Sequence, residues 1–328
     1  MNNKIRILLD KSHKGWVLGG LFNELAETCP AQFKKPIAIS RIKSRYVFIS
    51  FLAVLVIRLQ KVPILFSSIT PLENFLKYTN GNSNQLFLWF THQNGDYPRK
   101  TISILQSTQI IFVHSVREKK NLHNLGIRSK IVPLVGAIKP EYFTSIVENG
   151  TKIAFIGTPS KRKNPFEFLR FVNENPQLQF KILGKDWHKH EIWEILKGIS
   201  NLEYVEIGRR LSKQDLNDCS HHLILSSHEG GPISLIESVA AGLIPVCTNV
   251  GIAEEFLKEC GYTNQIISAE LNFHEISLKI KNNYSRSQKE FASNIARQYT
   301  IERFASAMLL EIMNFKVNQT YETPNANV

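Results

Sequence analysis

The chain has 328 residues, which is too long for one ordinary domain and suits two domains of about 150 residues each. Hydrophobic residues make up 43% of the sequence and charged residues 21%, a globular composition that excludes disordered, fibrous and low-complexity classes. The net charge is +12, and the excess lies in the N-terminal half: residues 1–150 hold 20 basic and 8 acidic residues, whereas residues 151–328 hold 20 of each. This asymmetry indicates an anionic partner for the N-terminal half.

Neither the cysteines nor the apolar segments predict a secreted or membrane-spanning protein. The four cysteines form no C-x-x-C pair, which favours buried free thiols in a reducing compartment over a disulfide framework or a zinc site. The N-terminal apolar run is too short for a signal peptide. Residues 46–57, YVFISFLAVLVI, are too few for a spanning helix and predict a buried strand followed by a buried helix, with surface attachment as the alternative.

In chain order, short apolar runs alternate with longer mixed segments. In the N-terminal half they predict strands at 4–9, 46–50, 85–91, 109–114 and 130–135, with helices at 16–29 and 116–125. After a linker at 148–150 the cycle restarts, with strands at 152–156, 179–183, 202–207, 223–227 and 244–248. Helices are predicted between them at 165–175, 212–219 and 232–241, and afterwards at 253–260 and from 273 onward. Ser212 and Asp215 have the spacing of a capping box.

Strands separated by helices imply parallel sheets with right-handed crossovers, and two such runs imply two doubly wound α/β domains that face a cleft. The predicted domains are residues 1–148 and 149–290. Helices within 291–316 are expected to pack back toward the N-terminal domain, and the polar tail 317–328 is expected to fray.

The segment 226–250, SSHEGGPISLIESVAAGLIPVCTNV, is the most informative part of the sequence. An apolar strand ends at His228 and Glu229 follows it. The next residues, Gly230–Gly231–Pro232, let a ligand approach the backbone before a helix begins. The amides at that helix start, from Ile233 onward, form a natural phosphate site at the carboxyl end of a parallel strand. Glu237 lies in the same apolar helix and needs a partner, and its carboxylate suits sugar or ribose hydroxyls.

These residues carry a family resemblance. Glu229 to Glu237 resembles the E-x7-E motif of family 4 retaining glycosyltransferases of GT-B fold, and AAGLIPVCTNVG at 240–251 resembles the continuation of that motif. The resemblance implies that Glu229 contacts the donor sugar and that Glu237 binds the ribose. It also implies that the backbone of Gly230, Gly231, Pro232 and Ile233 holds the donor around its sugar and diphosphate. The alternative is a glycine turn with a buried glutamate bonded to backbone.

A second segment, IGTPSKRKN at 156–164, resembles the family's G-R-x-x-x-x-K-G segment, whose Arg and Lys neutralise the donor diphosphate. Thr158 stands where the family has Arg, and Asn164 stands where it has glycine. Lys163 matches the family lysine, and Arg162 is the candidate for the missing guanidinium. The alternative is a basic triplet on a solvated surface.

In the N-terminal half the resemblance is looser. His92, in FTHQNGDYPRK, follows an apolar strand and resembles the histidine that reaches the donor sugar across the cleft; the alternative is a structural histidine. Gly19 and Gly20 resemble the family's first glycine loop, although they fall inside a helical pattern, and helix packing explains them equally well. Basic residues of the first 80 positions suit anionic lipid headgroups or a lipid-pyrophosphate acceptor, and nucleic acid ranks below. They include Lys34, Lys35, Arg41, Lys43, Arg45, Arg58 and Lys61.

The resemblance implies an enzyme that transfers a sugar with retention from a nucleotide-diphosphate sugar to a glycan or lipid-linked acceptor. It implies bacterial surface polysaccharide synthesis (lipopolysaccharide, O-antigen, capsule or exopolysaccharide) at the cytoplasmic face of the inner membrane, with peripheral attachment. No cofactor and no metal are expected, because the sequence lacks a D-x-D motif and helix amides and basic side chains would stabilise the leaving diphosphate. The alternatives are a sugar-nucleotide epimerase of the same fold and a non-catalytic sugar-nucleotide-binding protein.

Overall fold

The computed structural model describes residues 4–10, 17–39, 57, 62–79, 85–90 and 97–321. The chain divides into two compact units, which are residues 1–137 together with 301–328, and residues 138–300. The first unit carries the whole charge excess of +12, and the second is neutral.

The first unit contains a parallel six-stranded sheet. Its strands are β1 (Arg6–Asp10), β2 (Ile37–Ile39), β3 (Ile64–Phe66), β4 (Leu86–Phe90), β5 (Ile110–Val113) and β6 (Lys130–Pro133). The order is β2-β1-β3-β4-β5-β6, and helices α1 (Val17–Thr28), α2 (Ile69–Thr79), α3 (Arg99–Gln106) and α4 (Val116–Asn124) connect the strands. Every residue of β4, LFLWF, is buried, because a parallel sheet is covered on both faces and its central strands are apolar throughout.

The second unit contains another parallel six-stranded sheet. Its strands are β7 (Lys152–Ile156), β8 (Phe180–Gly184), β9 (Leu202–Glu206), β10 (Cys219–Ile224), β11 (Ile244–Thr248) and β12 (Ile266–Ile267). Its helices are α5 (Pro165–Glu174), α6 (Trp193–Leu196), α7 (Lys213–Leu216), α8 (Ile233–Ala240), α9 (Ala253–Glu259), α10 (Phe273–Ile280) and α11 (Arg286–Ala296). The order β12-β11-β10-β7-β8-β9 reverses direction between β7 and β10. Open α/β sheets bind ligands at such a switch point, beyond the carboxyl ends of the strands.

The last helix, α12 (Ile301–Tyr321), belongs to the first unit and packs on α1. Phe304, Ala305, Met308 and Ile312 are buried in a core that also contains Trp89. Their spacing places them on one face of the helix. The sequence predicted a frayed tail from residue 317, whereas α12 continues to Tyr321; residues 322–328 lie outside the described part of the chain.

Most predicted strands and helices of the second unit are confirmed within one or two residues, and β10 is the main difference. The sequence predicted a helix up to residue 219 and a strand from 223, but β10 already begins at Cys219. The polar run Ser220–His222 concealed this strand. His222 is nevertheless buried, and its Nδ1 lies 2.8 Å from Ser238 Oγ on α8. The capping box is confirmed, since Asp215 accepts a 2.8 Å hydrogen bond from the Ser212 amide.

In the first unit, the sequence missed strands β2 and β3 and helices α2 and α3. The predicted strand at 46–50 lies outside the described residues, and of the segment 46–57 only Ile57 is described, as a buried residue. Cys219, Cys247 and Cys260 are buried free thiols as predicted, whereas Cys29 is half-buried. Within the described ranges, no helix combines the length and the apolar character that crossing a bilayer requires.

The first prediction concerns an ion cluster at the amino end of the second sheet. Asp218 accepts hydrogen bonds from Lys152 Nζ at 2.9 Å and from Lys181 Nζ at 2.8 Å. Burial alone would raise the pKa of Asp218, but the two lysines lower it to about 2. Because this pKa lies below that of an unfolded aspartate, the stabilisation is complete above about pH 4 and is lost as pH falls through about 2.

We therefore expect Asp218→Asn to lower the free energy of unfolding at pH 7 by ~1 kcal/mol, because the side chain is 34% exposed and solvent screens the pairs. Denaturant unfolding at pH 7 and pH 2.5 measures the effect, and the difference from wild type should shrink at the lower pH. Glu167→Gln, at an exposed i,i+3 pair with Arg170, is the matched control and should cost less at both pH values. A loss of equal size at both pH values would contradict the electrostatic origin.

Candidate active site

Two loops meet at the switch point of the second sheet. One follows β7 (residues 157–164) and the other follows β10 (residues 225–232). They are joined by hydrogen bonds from the Ser227 amide to the Arg162 carbonyl at 2.8 Å and from Asn164 Nδ2 to the Leu225 carbonyl at 2.7 Å. Asn164 has φ +54°, a left-handed conformation that asparagine adopts more readily than most residues other than glycine. The asparagine therefore keeps the conformation that a glycine would have at this motif position.

Glu229 lies at the centre of the two loops and binds both predicted cations. Its Oε1 is 2.8 Å from Lys163 Nζ, contacts Arg162 Nη1 and accepts a 3.0 Å hydrogen bond from Ser226 Oγ. The side chain of Glu229 is only 7% exposed and that of Lys163 only 10%. The structure thus brings together three residues that the sequence placed in two separate motifs. Sequence reasoning missed Ser226, which lies in the same motif segment.

The charges of this cluster determine its protonation. Burial alone would raise the pKa of Glu229, but Lys163 and Arg162 lower it to about 2, so the carboxylate is ionised at neutral pH. Burial, with Lys163 as the second cause, lowers the pKa of His222 to about 3, so that imidazole is neutral. The cluster therefore holds two cations against one anion and has one net positive charge. Such a balance suits a ligand that brings further negative charge.

Three glycines shape the loops, one through a close contact with a side chain and two through close contacts with backbone. Gly157 has φ +131°, and a Cβ there would lie 3.0 Å from Lys163 Cε. A Cβ on Gly184 would lie 2.0 Å from the Gly157 carbonyl oxygen, which also accepts a 2.8 Å hydrogen bond from Trp187 Nε1. A Cβ on Gly251 would lie 2.4 Å from the Gly230 oxygen. The backbone of Gly251 therefore lies against the backbone of the glycine-rich loop at Gly230.

Gly251 provides a test of this packing. Its φ is +56° and the added Cβ would meet backbone, whereas Gly261 has φ +77° with nothing within 4 Å of the added Cβ. Both Gly→Ala changes strain the backbone, but only Gly251→Ala also displaces the loop. If the loop binds the nucleoside diphosphate that the family resemblance implies, Gly251→Ala should weaken its affinity at least tenfold and Gly261→Ala should leave it within about twofold, measured by calorimetry. Equal affinities in the two variants would contradict a role for this contact.

Helix α8 begins at Ile233, with Pro232 as the residue before it rather than as its first residue. The amide of Leu235 donates to the Pro232 carbonyl at 2.9 Å, so the amides of Ile233 and Ser234 precede the hydrogen bonds of the helix. Glu237 is buried on α8, and its partner is Arg210, whose Nη1 lies 4.0 Å from Glu237 Oε1. Sequence reasoning required a partner for Glu237 but did not find Arg210, because an arginine in a loop carries no periodic signal.

The remaining predicted site residues lie in the first unit. Gly19 and Gly20 are both inside helix α1, as the helical pattern indicated, and a Cβ on Gly20 would meet only Glu24 Oε1 at 3.9 Å. His92 lies outside the described residues. Across the described ranges, no three His, Cys, Asp or Glu side chains converge in a way that could hold a metal ion.

Comparison with known proteins agrees with this geometry. Residues 141–298 match the family described as glycosyl transferases group 1. This segment is a group 1 glycosyltransferase domain. It includes both loops, Glu229 and Glu237, and it covers nearly all of the second unit. The resemblance inferred from the two motifs is therefore confirmed at the level of the family.

Solved structures resemble the whole chain. A sucrose-phosphate synthase from Thermosynechococcus elongatus has a TM-score of 0.73 at 11% identity, covering 96% of this chain and 100% of that one. Anabaena HepE, in complex with UDP-glucose, has a TM-score of 0.71 at 12% identity, with 94% and 99% covered. The lipopolysaccharide outer core galactosyltransferase WaaB has a TM-score of 0.66 at 11% identity, with 95% and 99% covered. No curated protein matches the sequence significantly.

At these identities the likeness concerns the fold. Two parallel six-stranded sheets with interleaved helices form the GT-B glycosyltransferase fold, and the predicted fold class is confirmed.

Proposed function

We propose that this group 1 glycosyltransferase transfers a sugar, with retention, from a nucleotide-diphosphate sugar to a glycan or lipid-linked acceptor. The observation that carries the proposal is the buried cluster of Arg162, Lys163 and Glu229 at the switch point. A cluster with one net positive charge beside the start of α8 suits a diphosphate, since both the cations and the helix amides favour anions. The pocket supplies a carboxylate for sugar hydroxyls in the same place.

Each residue then has a distinct role. Lys163 and Arg162 bind the diphosphate and stabilise the charge that develops when the sugar–phosphate bond breaks. Glu229 orients the donor sugar through its hydroxyls, and the backbone of residues 230–233 binds around the sugar and diphosphate. Glu237 accepts hydrogen bonds from the ribose. His92, in the other unit, is proposed to contact the donor sugar.

Retention follows a front-face course in this proposal. The bond between the anomeric carbon and the diphosphate oxygen breaks, and the acceptor oxygen bonds to the same face of that carbon. The acceptor proton passes to the departing diphosphate oxygen, so no separate protein base is needed. Helix amides and the two basic side chains carry the leaving-group charge, which makes the reaction metal-independent in this proposal.

A ligand screen tests the proposal. Nucleoside diphosphates and their sugars should raise the melting temperature, because a ligand that binds only the folded state stabilises it, and a nucleoside without phosphates should raise it less. With the donor that stabilises the protein most, NMR of the product should show the same anomeric configuration as the donor. Activity should be unchanged by EDTA. Conversion of the free donor without acceptor would instead indicate an epimerase, and tight binding without turnover a non-catalytic binding protein. No stabilisation by any nucleotide contradicts the donor site.

We further propose a role in bacterial surface polysaccharide synthesis, with peripheral attachment at the cytoplasmic face of the inner membrane. Support comes from the basic first unit, from a similar fold in a lipopolysaccharide galactosyltransferase, and from UDP-glucose bound to another similar fold. An anionic bilayer and a lipid-pyrophosphate acceptor both suit a surface of positive charge. Nucleic acid is not proposed as a partner.

The charge asymmetry yields a vesicle-binding prediction. Each Lys or Arg near an anionic bilayer contributes about 1 kcal/mol, and the attraction fades within a Debye length. Binding should therefore occur on anionic vesicles, not on neutral ones, and should fall steeply with added salt in a sedimentation assay. Replacing Lys34, Lys35, Arg41, Lys43 and Arg45 by Gln should remove much of it while nucleotide binding persists. Equal partitioning onto both vesicle types, or none onto either, would indicate charges that only solubilise the surface.

A further inference from the structure

The ion pair between Arg210 and Glu237 contains a buried cation, Arg210, to which the roles above assign no function. The side chain of Arg210 is 7% exposed and that of Glu237 is 3% exposed. Around Glu237, the helix residues Leu235, Ile236, Val239 and Ala240 are fully buried and apolar. Taking two charges out of water is costly, and apolar side chains of similar volume often replace such a pair without loss of stability. Stability of the fold alone is therefore a weak explanation for this pair.

The arginine is held in place by its own loop. Arg209 donates from Nη1 to the Arg210 carbonyl at 2.9 Å and binds both oxygens of Asp215, at 2.8 and 2.7 Å. Asp215 in turn accepts a hydrogen bond from the Ser212 amide at the start of α7. The backbone on both sides of Arg210 is therefore fixed, and the guanidinium enters the interior from a preorganised loop rather than from a long flexible one.

The length of the ion pair matters for what the carboxylate can bind. At 4.0 Å, the Arg210 Nη1 to Glu237 Oε1 contact is longer than a hydrogen bond, so it balances charge without a hydrogen bond between those two atoms. The two neighbouring hydroxyls of a ribose provide two O–H donors, which match the two oxygens of one carboxylate. A glutamate that is held in place by a neighbouring guanidinium is suited to bind such a diol.

From this arrangement we infer that Arg210 is a positioning residue, which holds the Glu237 carboxylate in place for the donor ribose and thereby makes the site select ribonucleotides over deoxyribonucleotides. The inference rests on the proposed function, because it deepens the role of Glu237 in donor binding. It assigns to this chain a specificity determinant on the loop between β9 and α7, outside both sequence motifs.

Calorimetry with UDP, GDP and ADP, and with the 2′-deoxy and 3′-deoxy forms of whichever binds, tests the inference. Wild type should prefer the ribonucleotide at least tenfold. Arg210→Met should abolish the preference by lowering ribonucleotide affinity to the deoxy level, with deoxynucleotide affinity within about twofold of wild type. Arg210→Lys retains the positive charge but not the planar guanidinium, and it should retain part of the preference. This variant replaces Arg210→Met in the test if the methionine variant does not fold. Glu237→Gln should give the same ratio as Arg210→Met.

Arg209→Met tests the loop order separately, since it removes the contacts that fix the Arg210 backbone and leaves the Arg210 side chain. It should reduce the preference, but by less than Arg210→Met does. A preference that survives in Arg210→Met, or an equal loss for both nucleotide forms, would overturn the inference. Wild type that binds ribo and deoxy forms equally overturns only this inference, whereas wild type that binds no nucleotide overturns the proposed function with it.

Discussion

Glu229→Gln is expected to reduce turnover about 100-fold or more while nucleoside diphosphate binding persists. Turnover should fall because the Glu229 carboxylate is proposed to align the donor sugar. Misplacing a reacting centre reduces the rate by a factor of about 100. Binding should persist, or become tighter, because Arg162 and Lys163 lose the anion that they contact in the ligand-free protein. Steady-state kinetics and calorimetry on the same preparation measure the loss of turnover and the retained binding separately.

The pH dependence adds a second test for Glu229. Its pKa of about 2 lies below that of an ordinary glutamate, so its ionic stabilisation is complete above about pH 4.5 and is lost as pH falls through about 2. Between pH 5 and 8 the carboxylate does not titrate, and any inflection in the rate over that range should be the same in wild type and variant. Glu167→Gln, at a half-buried position away from the cluster, is the control and should leave turnover within about twofold. Wild-type turnover in Glu229→Gln would disprove the alignment role.

The second large effect is expected at Lys163. Lys163→Met should weaken nucleoside diphosphate affinity about 10- to 100-fold, because a buried charged hydrogen bond contributes roughly 1.5–3 kcal/mol. Affinity for the corresponding nucleoside, which has no phosphates, should change little. Calorimetry with both ligands separates loss of a phosphate contact from general damage to the pocket.

Lys161 supplies a matched control for Lys163. Both lysines lie in the same single helical turn, Lys161–Lys163, but Lys161 is exposed and Lys163 is buried. We expect Lys161→Met to leave diphosphate affinity within about twofold. If the two variants lose affinity equally, the effect comes from the net charge of the loop and not from the buried position of Lys163.

The sequence predicted the fold and the centre of the site because both depend on local patterns. Strand β7 and helix α5 follow from apolar periodicity, and Glu229 and Lys163 follow from motifs with fixed spacing. What it missed depends on pairing across the fold. The sequence did not predict the start of strand β10 because His222 is polar. In the structure His222 is within hydrogen-bond distance of Ser238, 16 residues later. The role proposed for Arg210 depends on its contact with Glu237, and no spacing in the sequence links these two residues.

The placement of α12 has a consequence for the order in which the chain folds during synthesis. Residues 138–300 form an uninterrupted stretch and leave the ribosome before Ile301, whereas the first unit completes its core only when Phe304, Met308 and Ile312 have emerged. Until then the rings of Phe22 and Trp89 lack part of their cover. Burial of three such side chains contributes on the order of 5–9 kcal/mol, comparable to the whole stability of a small domain. A nascent chain arrested at Thr300 would thus hold every residue of the Arg162–Lys163–Glu229 cluster and still depend on chaperones for its amino-terminal half.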